Sequence, residues 1–444
     1  MAKGKFALLL TALMFFATVG VVSAVDEIRV GTIGPTTGWA TIFGEGALQG
    51  VKLALAERDY KFNGIPIKLF SEDTKADVEV MVTKLDSLKN RDKVDFIIGP
   101  SLGHEGMAAV DWGARNPDTP MLIGYSAPED ITMRKATYSV VRPGWTGAQV
   151  IFNFGQYCAK DLGYKKIIIV GQDYSYPWDQ AAGFIRGFLE NGGEEVLRIW
   201  HPVEAVDFSS IMARLASLSS EYDAVLNNSG GAQVVAFFKQ WKQFGLDKKY
   251  PQILGQANVP IVSMLPELGD QALGVYSSLH YYDGNPSKAN QKFREDFKKA
   301  YGHYPDVIAM QGYDAMRVAF KAMKALNGKV DDPKAFVEAV RKVKMSNAES
   351  PRGPFYFDSF GNPIQNIYIK KVVKKDGKLM NIAVKTYENV SQFGPYANMA
   401  QKYMAGPATT RNYPPGKKAE YFAEIEKWFG KDYVKNLKKN GGWK

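Results

Sequence analysis

Short apolar runs alternate with stretches of helical periodicity from residue 27 to residue 257, and this alternation constrains the fold more than any other feature. The runs are EIRVGTIGP (27–35), IPIKLFSED (65–73), VDFIIGP (94–100), PMLIGYS (120–126), KKIIIVGQD (165–173), EVLRIWH (195–201), YDAVLNNS (222–229) and PQILGQA (251–257). Continuous apolar runs of this length suit strands buried on both faces. Helical patterns lie between them at 46–59, 76–90, 146–163 and 230–245. Strands joined by helices imply right-handed βαβ units and parallel sheets. So many strands crowd a single sheet, and Pro143-Gly144 interrupts the series near its middle. The expectation is an α/β chain of two doubly wound parallel-sheet lobes.

The pattern changes after residues 274–287. Helical stretches follow, and then residues 353–388 alternate apolar and polar side chains around Gly-Asn and Asp-Gly turn signals. That stretch predicts a β-meander. Beyond residue 389 the chain is punctuated by Pro and Gly, and KAEYFAEIEKWFGKDYVKNLKK (418–439) predicts one amphipathic helix.

The N-terminus reads as an address rather than as structure. Lys3 and Lys5 precede an uncharged run from Phe6 to Val22, and VVSA (21–24) ends it in small residues. This predicts a secretory signal peptide over 1–24, cut after Ala24. A membrane anchor is the weaker alternative, because the run is short and no stop-transfer cluster follows. No other segment approaches the roughly 18 apolar residues of a spanning helix. The single cysteine, Cys158, rules out an internal disulfide and reads as a small buried hydrophobe. His104, His201, His280 and His303 stand alone, without metal-site spacing, so neither a metal nor another cofactor is expected. The net charge is +10, and the basic excess is densest beyond Gly406. Without a clustered basic helix or an aromatic-basic platform, nucleic acid is not an expected partner. A mild positive field suits an anionic ligand.

In open parallel sheets, ligands bind beyond the carboxyl ends of the strands. Those loops are 34–46, 99–106 and 124–130 in the first half, and 171–179, 227–233 and 255–260 in the second. They are rich in Gly, Ser, Thr, Asn and aromatics. Gly99-Pro100-Ser101-Leu102-Gly103 also fits G-x-S-x-G, the nucleophile elbow of hydrolases. An elbow serine needs a His and an acid, and no His lies in a strand-end loop except His104, three residues on. Ser101 is therefore read first as an anion-contacting ligand residue. A turn or cap residue and a nucleophile are the alternatives.

These loops and strands, in their order, resemble the solute-binding proteins of the branched-chain amino-acid type that serve ABC transporters. The resemblance is carried by IRVGTIGPTTGWATIFGEGALQGVKLALAE, KLFSEDTKADVEVMVTKLDSL, VDFIIGPSLG, MLIGYSAPED, KKIIIVGQDYSYPWDQAAGF, DFSSIMARL and GPFYFDSFGNPIQ. It implies two lobes joined by a three-crossing hinge that closes on ligand. The first lobe would take 25–142 and 281–355, the second 143–280 and 356–395, leaving 396–444 as an extension. It implies that Ser101, Leu102 and Gly103, with Gly124, Tyr125 and Ser126, hold a ligand carboxylate through hydroxyls and a helix N-terminus. Phe43 and Tyr176 would cover the ligand from opposite lobes, with Trp39 and Trp178 adding to the walls. Partners implied are a small-molecule ligand and an inner-membrane permease, with the protein itself monomeric, periplasmic and not an enzyme. A secreted serine esterase and a ligand-sensing receptor are the alternatives.

One departure bears on the ligand. Amino-acid binders of this family carry an acid in the loop matching Gly255–Asn258, where it pairs with the ligand ammonium. Here the loop reads GQANVP. Burying an ammonium without an acid is costly. Gln256, Asn227, Asn228 and Asn258 suit an amide, a urea-like compound or an aromatic or short aliphatic acid better. Asp173 would restore the amino-acid reading if it faced the cleft.

Overall fold

A computed structural model describes residues 26–251 and 253–443. The expected signal peptide lies outside the described residues. The first sheet contains β1 (Ile28–Gly34), β2 (Lys61–Phe62), β3 (Ile65–Asp73), β4 (Phe96–Ile98), β5 (Met121–Leu122) and β6 (Val140–Val141), in the order β2-β3-β1-β4-β5-β6. All its pairings are parallel except β2–β3, a hairpin turning on Asn63-Gly64 with φ of +49° and +84°. Two consecutive positive φ values make this the Asn-Gly turn that tight hairpins favour.

The second sheet starts with β7 (Lys166–Gln172), β8 (Glu195–His201), β9 (Ala224–Asn228), β10 (Ile253–Gly255) and β11 (Tyr276–Leu279). It is completed by β12 (Lys344–Met345), β13 (Phe355–Phe357), β14 (Pro363–Lys375) and β15 (Lys378–Val390). Strands β8-β7-β9-β10-β11 are parallel, and β14 joins β11 antiparallel, with β13 and β15 on β14 and β12 on β13. All eight runs read from the sequence contain strands. The meander turns on Asp376-Gly377, again with both φ positive.

Between the two sheets the chain crosses and returns. After β11 the helices Lys288–Tyr301, Val307–Ala325 and Pro333–Arg341 join the core of the first lobe, where Ile308, Met316 and Phe336 pack with Val51, Leu55 and Phe96. Helix Thr41–Ala56 meets Val307–Ala325 through glycines: a methyl on Gly50 would lie 2.0 Å from the Ala309 carbonyl, and one on Gly312 2.0 Å from that of Ala47. Only glycine permits that approach.

The crossings are held by buried polar side chains. Arg142 donates to the carbonyl of Pro128 (2.6 Å), to Asn362 Oδ1 (2.8 Å) and to Thr132 Oγ1. Burial draws its guanidinium down to about 9. Arg352 pairs with Asp314 at 3.1 Å and donates to Gln365 Oε1 at 2.8 Å. A buried charge needs partners of this kind, here backbone carbonyls, side-chain oxygens and one carboxylate.

The terminal segment departs from expectation. The single helix read over 418–439 is two, Lys418–Phe429 and Lys431–Asn440, because Gly430 has φ +89° and ψ 162°, which no helix contains. The segment packs on the second lobe: Tyr396, Tyr421, Ile425, Val434 and Trp443 join the core that holds Phe152, Phe184 and Phe188.

Candidate functional site

The carboxyl ends of β1, β4 and β5 face those of β7, β9 and β10 across the gap between the lobes. The gap is closed: a methyl on Gly103 would lie 3.7 Å from Ser175 Oγ of the other lobe. On the first-lobe side a small cavity of about 20 Å³ is lined by Thr36, Ser71, Ser101, Gly124 and Tyr125, among others. Its hydroxyls supply donors without a cation.

Ser101 is 4% exposed, and its Oγ donates only a long bond, 3.3 Å, to the Phe43 carbonyl. Helix Gly103–Arg115 starts two residues on, so its first N–H groups have no acceptor within the helix. Leu102 is buried, and its N–H is taken by Glu105 Oε2 at 3.3 Å. Burial raises the Glu105 carboxyl above its ordinary range, against hydrogen bonds from Thr74 and Leu102. Ser126 is buried and donates to the Leu102 carbonyl at 2.9 Å, so its proton is spent on the loop and not on the cavity.

Aromatic rings run from this cavity into the second lobe. Phe43 lies 5.7 Å from Tyr125, Tyr125 5.9 Å from Trp145, and Trp145 5.8 Å from Tyr176, centroid to centroid. Trp145 was not singled out in the sequence. Its signal was an aromatic directly after the Pro143-Gly144 break, where a crossing strand must pass the cleft. Trp39, by contrast, is 68% exposed and forms no covered wall in this conformation.

The second lobe contributes amides. Tyr176 donates its hydroxyl to Gln256 Oε1 (3.0 Å) and accepts from Asn258 Nδ2 (3.0 Å), while Gln256 Nε2 donates to the Ser229 carbonyl (3.0 Å). Tyr125 of the first lobe lies against Asn258. Burial raises both phenols, Tyr125 and Tyr176, so they stay neutral. Asn227 and Asn228 shape loops: Asn227 Oδ1 accepts from the Ser229 N–H at 2.9 Å, and Asn228 Nδ2 donates to the Pro177 carbonyl at 2.8 Å.

The nearby carboxylates are committed elsewhere. Asp173 accepts from Trp178 Nε1 (3.0 Å) and from Arg411 Nε at both oxygens (2.9 and 2.8 Å). Asp306, which acts on Tyr125 through its charge, caps its helix by accepting the N–H groups of Ile308 and Ala309. Asp179, beside Tyr176, accepts the Glu129 N–H.

The elbow reading of Ser101 finds no partner in the geometry. His104 bonds the Ala76 carbonyl, His201 bonds Ser229 and Pro202, His280 meets Gln311, and His303 bonds Tyr304. Nucleophile activation requires a base within hydrogen-bond reach.

A two-lobed α/β chain with facing strand-end loops defines a class of ligand-capturing receptors, and comparison with known proteins places it. The family model described as periplasmic binding protein matches residues 27–378, and the chain belongs to that family. It is 32% identical over 387 residues to Leu/Ile/Val-binding protein homolog 6 of Brucella melitensis, covering 85% of this chain and 96% of the relative. A solute-binding protein of an ABC transporter from Rhodopseudomonas palustris BisB5, solved with 3,4-dihydroxybenzoic acid, is 30% identical, with TM-score 0.76 over 83% of this chain and 99% of that one. Another R. palustris solute-binding protein, solved with 4-hydroxybenzoate, is 27% identical, with TM-score 0.75 over the same shares. These relatives place the chain in the family of ABC-transporter substrate-binding proteins.

Proposed function

We propose that the protein captures a small aromatic carboxylate, of the hydroxybenzoate kind, between its lobes in the periplasm and delivers it to a membrane permease without chemical change. Residues 1–24 would direct its export. The carboxylate would sit at Ser101 and the start of helix Gly103–Arg115, where hydroxyl and N–H donors meet a positive helix end. The ring would lie against Phe43, Tyr125, Trp145 and Tyr176. One observation carries this reading over an amino acid: Asp173, which could have met an ammonium, is held by Arg411 and Trp178. The amides of Gln256 and Asn258, which bond the Tyr176 hydroxyl, would lie beside the ring instead. The benzoates bound by the two R. palustris relatives agree with this chemistry.

The test is a thermal-shift and calorimetric screen of benzoate, 4-hydroxybenzoate, 3,4-dihydroxybenzoate and leucine. An aromatic acid at a hundredfold excess over Kd stabilises by about 2.7 kcal/mol. Leucine binding more tightly than every aromatic acid would overturn the ligand class. Covalent capture of Ser101 by a fluorophosphonate would overturn the absence of catalysis.

A further inference from the structure

The family match ends at residue 378, and the segment from 396 to 443 makes contacts that divide between the lobes. To the second lobe it is fastened firmly. Tyr396, Tyr421, Tyr433 and Trp443 all donate to the buried carboxylate of Glu190. The Gly416 carbonyl accepts the Val196 N–H at 2.8 Å, and the Lys418 N–H reaches the Glu194 carbonyl at 3.0 Å, which covers the edge strand β8. Arg411 grips Asp173.

Its contacts to the first lobe are of another kind. The loop after β5 carries Glu129, Asp130 and Arg134. Tyr403 donates to Glu129 Oε1 at 2.9 Å. Arg134, held by Asp130 at 2.7 Å, donates Nε to the Met404 carbonyl (3.1 Å) and Nη2 to that of Gly406 (3.2 Å). Asp173 directly follows β7, whereas Glu129 lies in the loop between β5 and β6, whose Glu129 N–H also meets Asp179 and whose Met133 joins the second-lobe core. The segment spans from one to the other along the flank of the groove, where the lobes part. If it moves with the second lobe, opening pulls the loop 129–134 away from it.

We propose that residues 396–443 form a latch across the side of the groove, which holds the two lobes partly closed before any ligand arrives. Contacts made only in the closed form shift the open–closed equilibrium by their own free energy. A ligand that needs the closed form then binds more tightly in proportion to its population. The inference rests on the two-lobed fold and on no particular ligand.

Spin labels at Lys75→Cys and Glu204→Cys, exposed sites on the two rims, report the gap by double electron–electron resonance; the native Cys158 is buried. The full mature chain is measured without added ligand. Arg134→Ala and Tyr403→Phe are expected to lengthen and broaden the distance. Tyr433→Phe, which cuts a bond within the second lobe alone, is expected to lower Tm and leave the distance unchanged. With 4-hydroxybenzoate as probe, Arg134→Ala is expected to weaken binding roughly 3- to 30-fold. Unchanged distances in both latch variants would overturn the proposal, as would equal opening in Tyr433→Phe. Failure of 4-hydroxybenzoate to bind would count against the aromatic-acid reading only, since the distances need no ligand. If Arg134→Ala does not fold, Arg134→Lys and Tyr403→Phe carry the same measurement.

Discussion

At Ser101 a buried hydroxyl makes one long bond to the chain and is otherwise directed at the cavity. Its replacement by alanine therefore costs the fold little and the ligand much. A hydrogen bond to a charged group contributes roughly 1.5–3 kcal/mol, so Ser101→Ala is expected to weaken a carboxylate ligand about 10- to 150-fold by calorimetry. Ser126→Ala reverses the balance. It removes one of two hydrogen bonds to the Leu102 carbonyl, which keeps the Gly106 N–H, and is expected to lower stability by about 1 kcal/mol. Asp73 stands nearby and ties the loop after β1 to the end of β3. Burial pushes its carboxyl up, but bonds from the Thr37 hydroxyl and the N–H groups of Lys75 and Thr36 outweigh this and hold it at about 2. A depressed folded value stabilises above the ordinary carboxylate range and loses that contribution as pH falls through about 2. The Tm gap between wild type and Asp73→Asn is thus expected to be full at pH 7 and to close between pH 4 and about pH 2. The place of Ser101 at a cavity was legible because a strand, a Gly-rich turn and a helix start mark a loop beyond a strand end. The engagement of Ser126 with Leu102 was not, since a hydroxyl's direction depends on which carbonyl the fold brings near.

Among the elements, those inside the long apolar runs were legible and the two-residue strands outside them were not. β3 and β8 match their sequence readings residue for residue although both are only partly buried, because apolar residues recur along each run and enough of them, Ile67 in β3 and Val196 and Ile199 in β8, reach the core. β2, β6 and β12 span two residues each and are defined by their neighbours. The late start of helix Phe152–Lys160 has the same origin. The apolar pattern begins at 146, but Thr146–Ile151 is drawn into the crossing, where Gln149 Nε2 donates to the carbonyls of Pro363 and Val390. Helix caps are local and can be tested singly. Asp77 Oδ1 accepts from the N–H groups of Glu79 (2.8 Å) and Val80 (2.9 Å) at the start of helix Val78–Asn90. Asp77→Ala is expected to cost about 1 kcal/mol in urea unfolding while leaving ligand affinity unchanged. A loss of affinity instead would mean that this helix helps to set the cleft loops.

For the molecule as a whole, the two lobes follow from the strand count and the break at Pro143-Gly144, whereas the place of the terminal segment follows from Glu190. Glu190 closes helix Ser175–Leu189, is 3% exposed, and receives hydrogen bonds from donors at 396, 421, 433 and 443. Burial raises its carboxyl, and those bonds act the other way. No periodicity in the sequence links a glutamate to aromatics more than 200 residues away, so this anchor was not readable before the fold. Its energetics are nonetheless simple. Removing the acceptor strips a hydrogen bond from four donors, of which Tyr433 is half-buried and the Tyr396 and Tyr421 hydroxyls lie 3.4 Å apart; a buried donor left unpaired costs about 1–3 kcal/mol, not fully additive. Glu190→Ala is therefore expected to destabilise by at least about 3 kcal/mol, and Glu190→Gln, which keeps one acceptor oxygen, by less. Truncation after residue 395 goes further, because it also uncovers Phe152, on which Tyr396 and Trp443 pack. The truncated chain is expected to aggregate or to melt well below the intact one in calorimetry. Equal stability of the Glu190→Ala and wild-type chains in urea would show that the segment is only laid on the second lobe, and a segment so loosely held could not transmit force to Arg134.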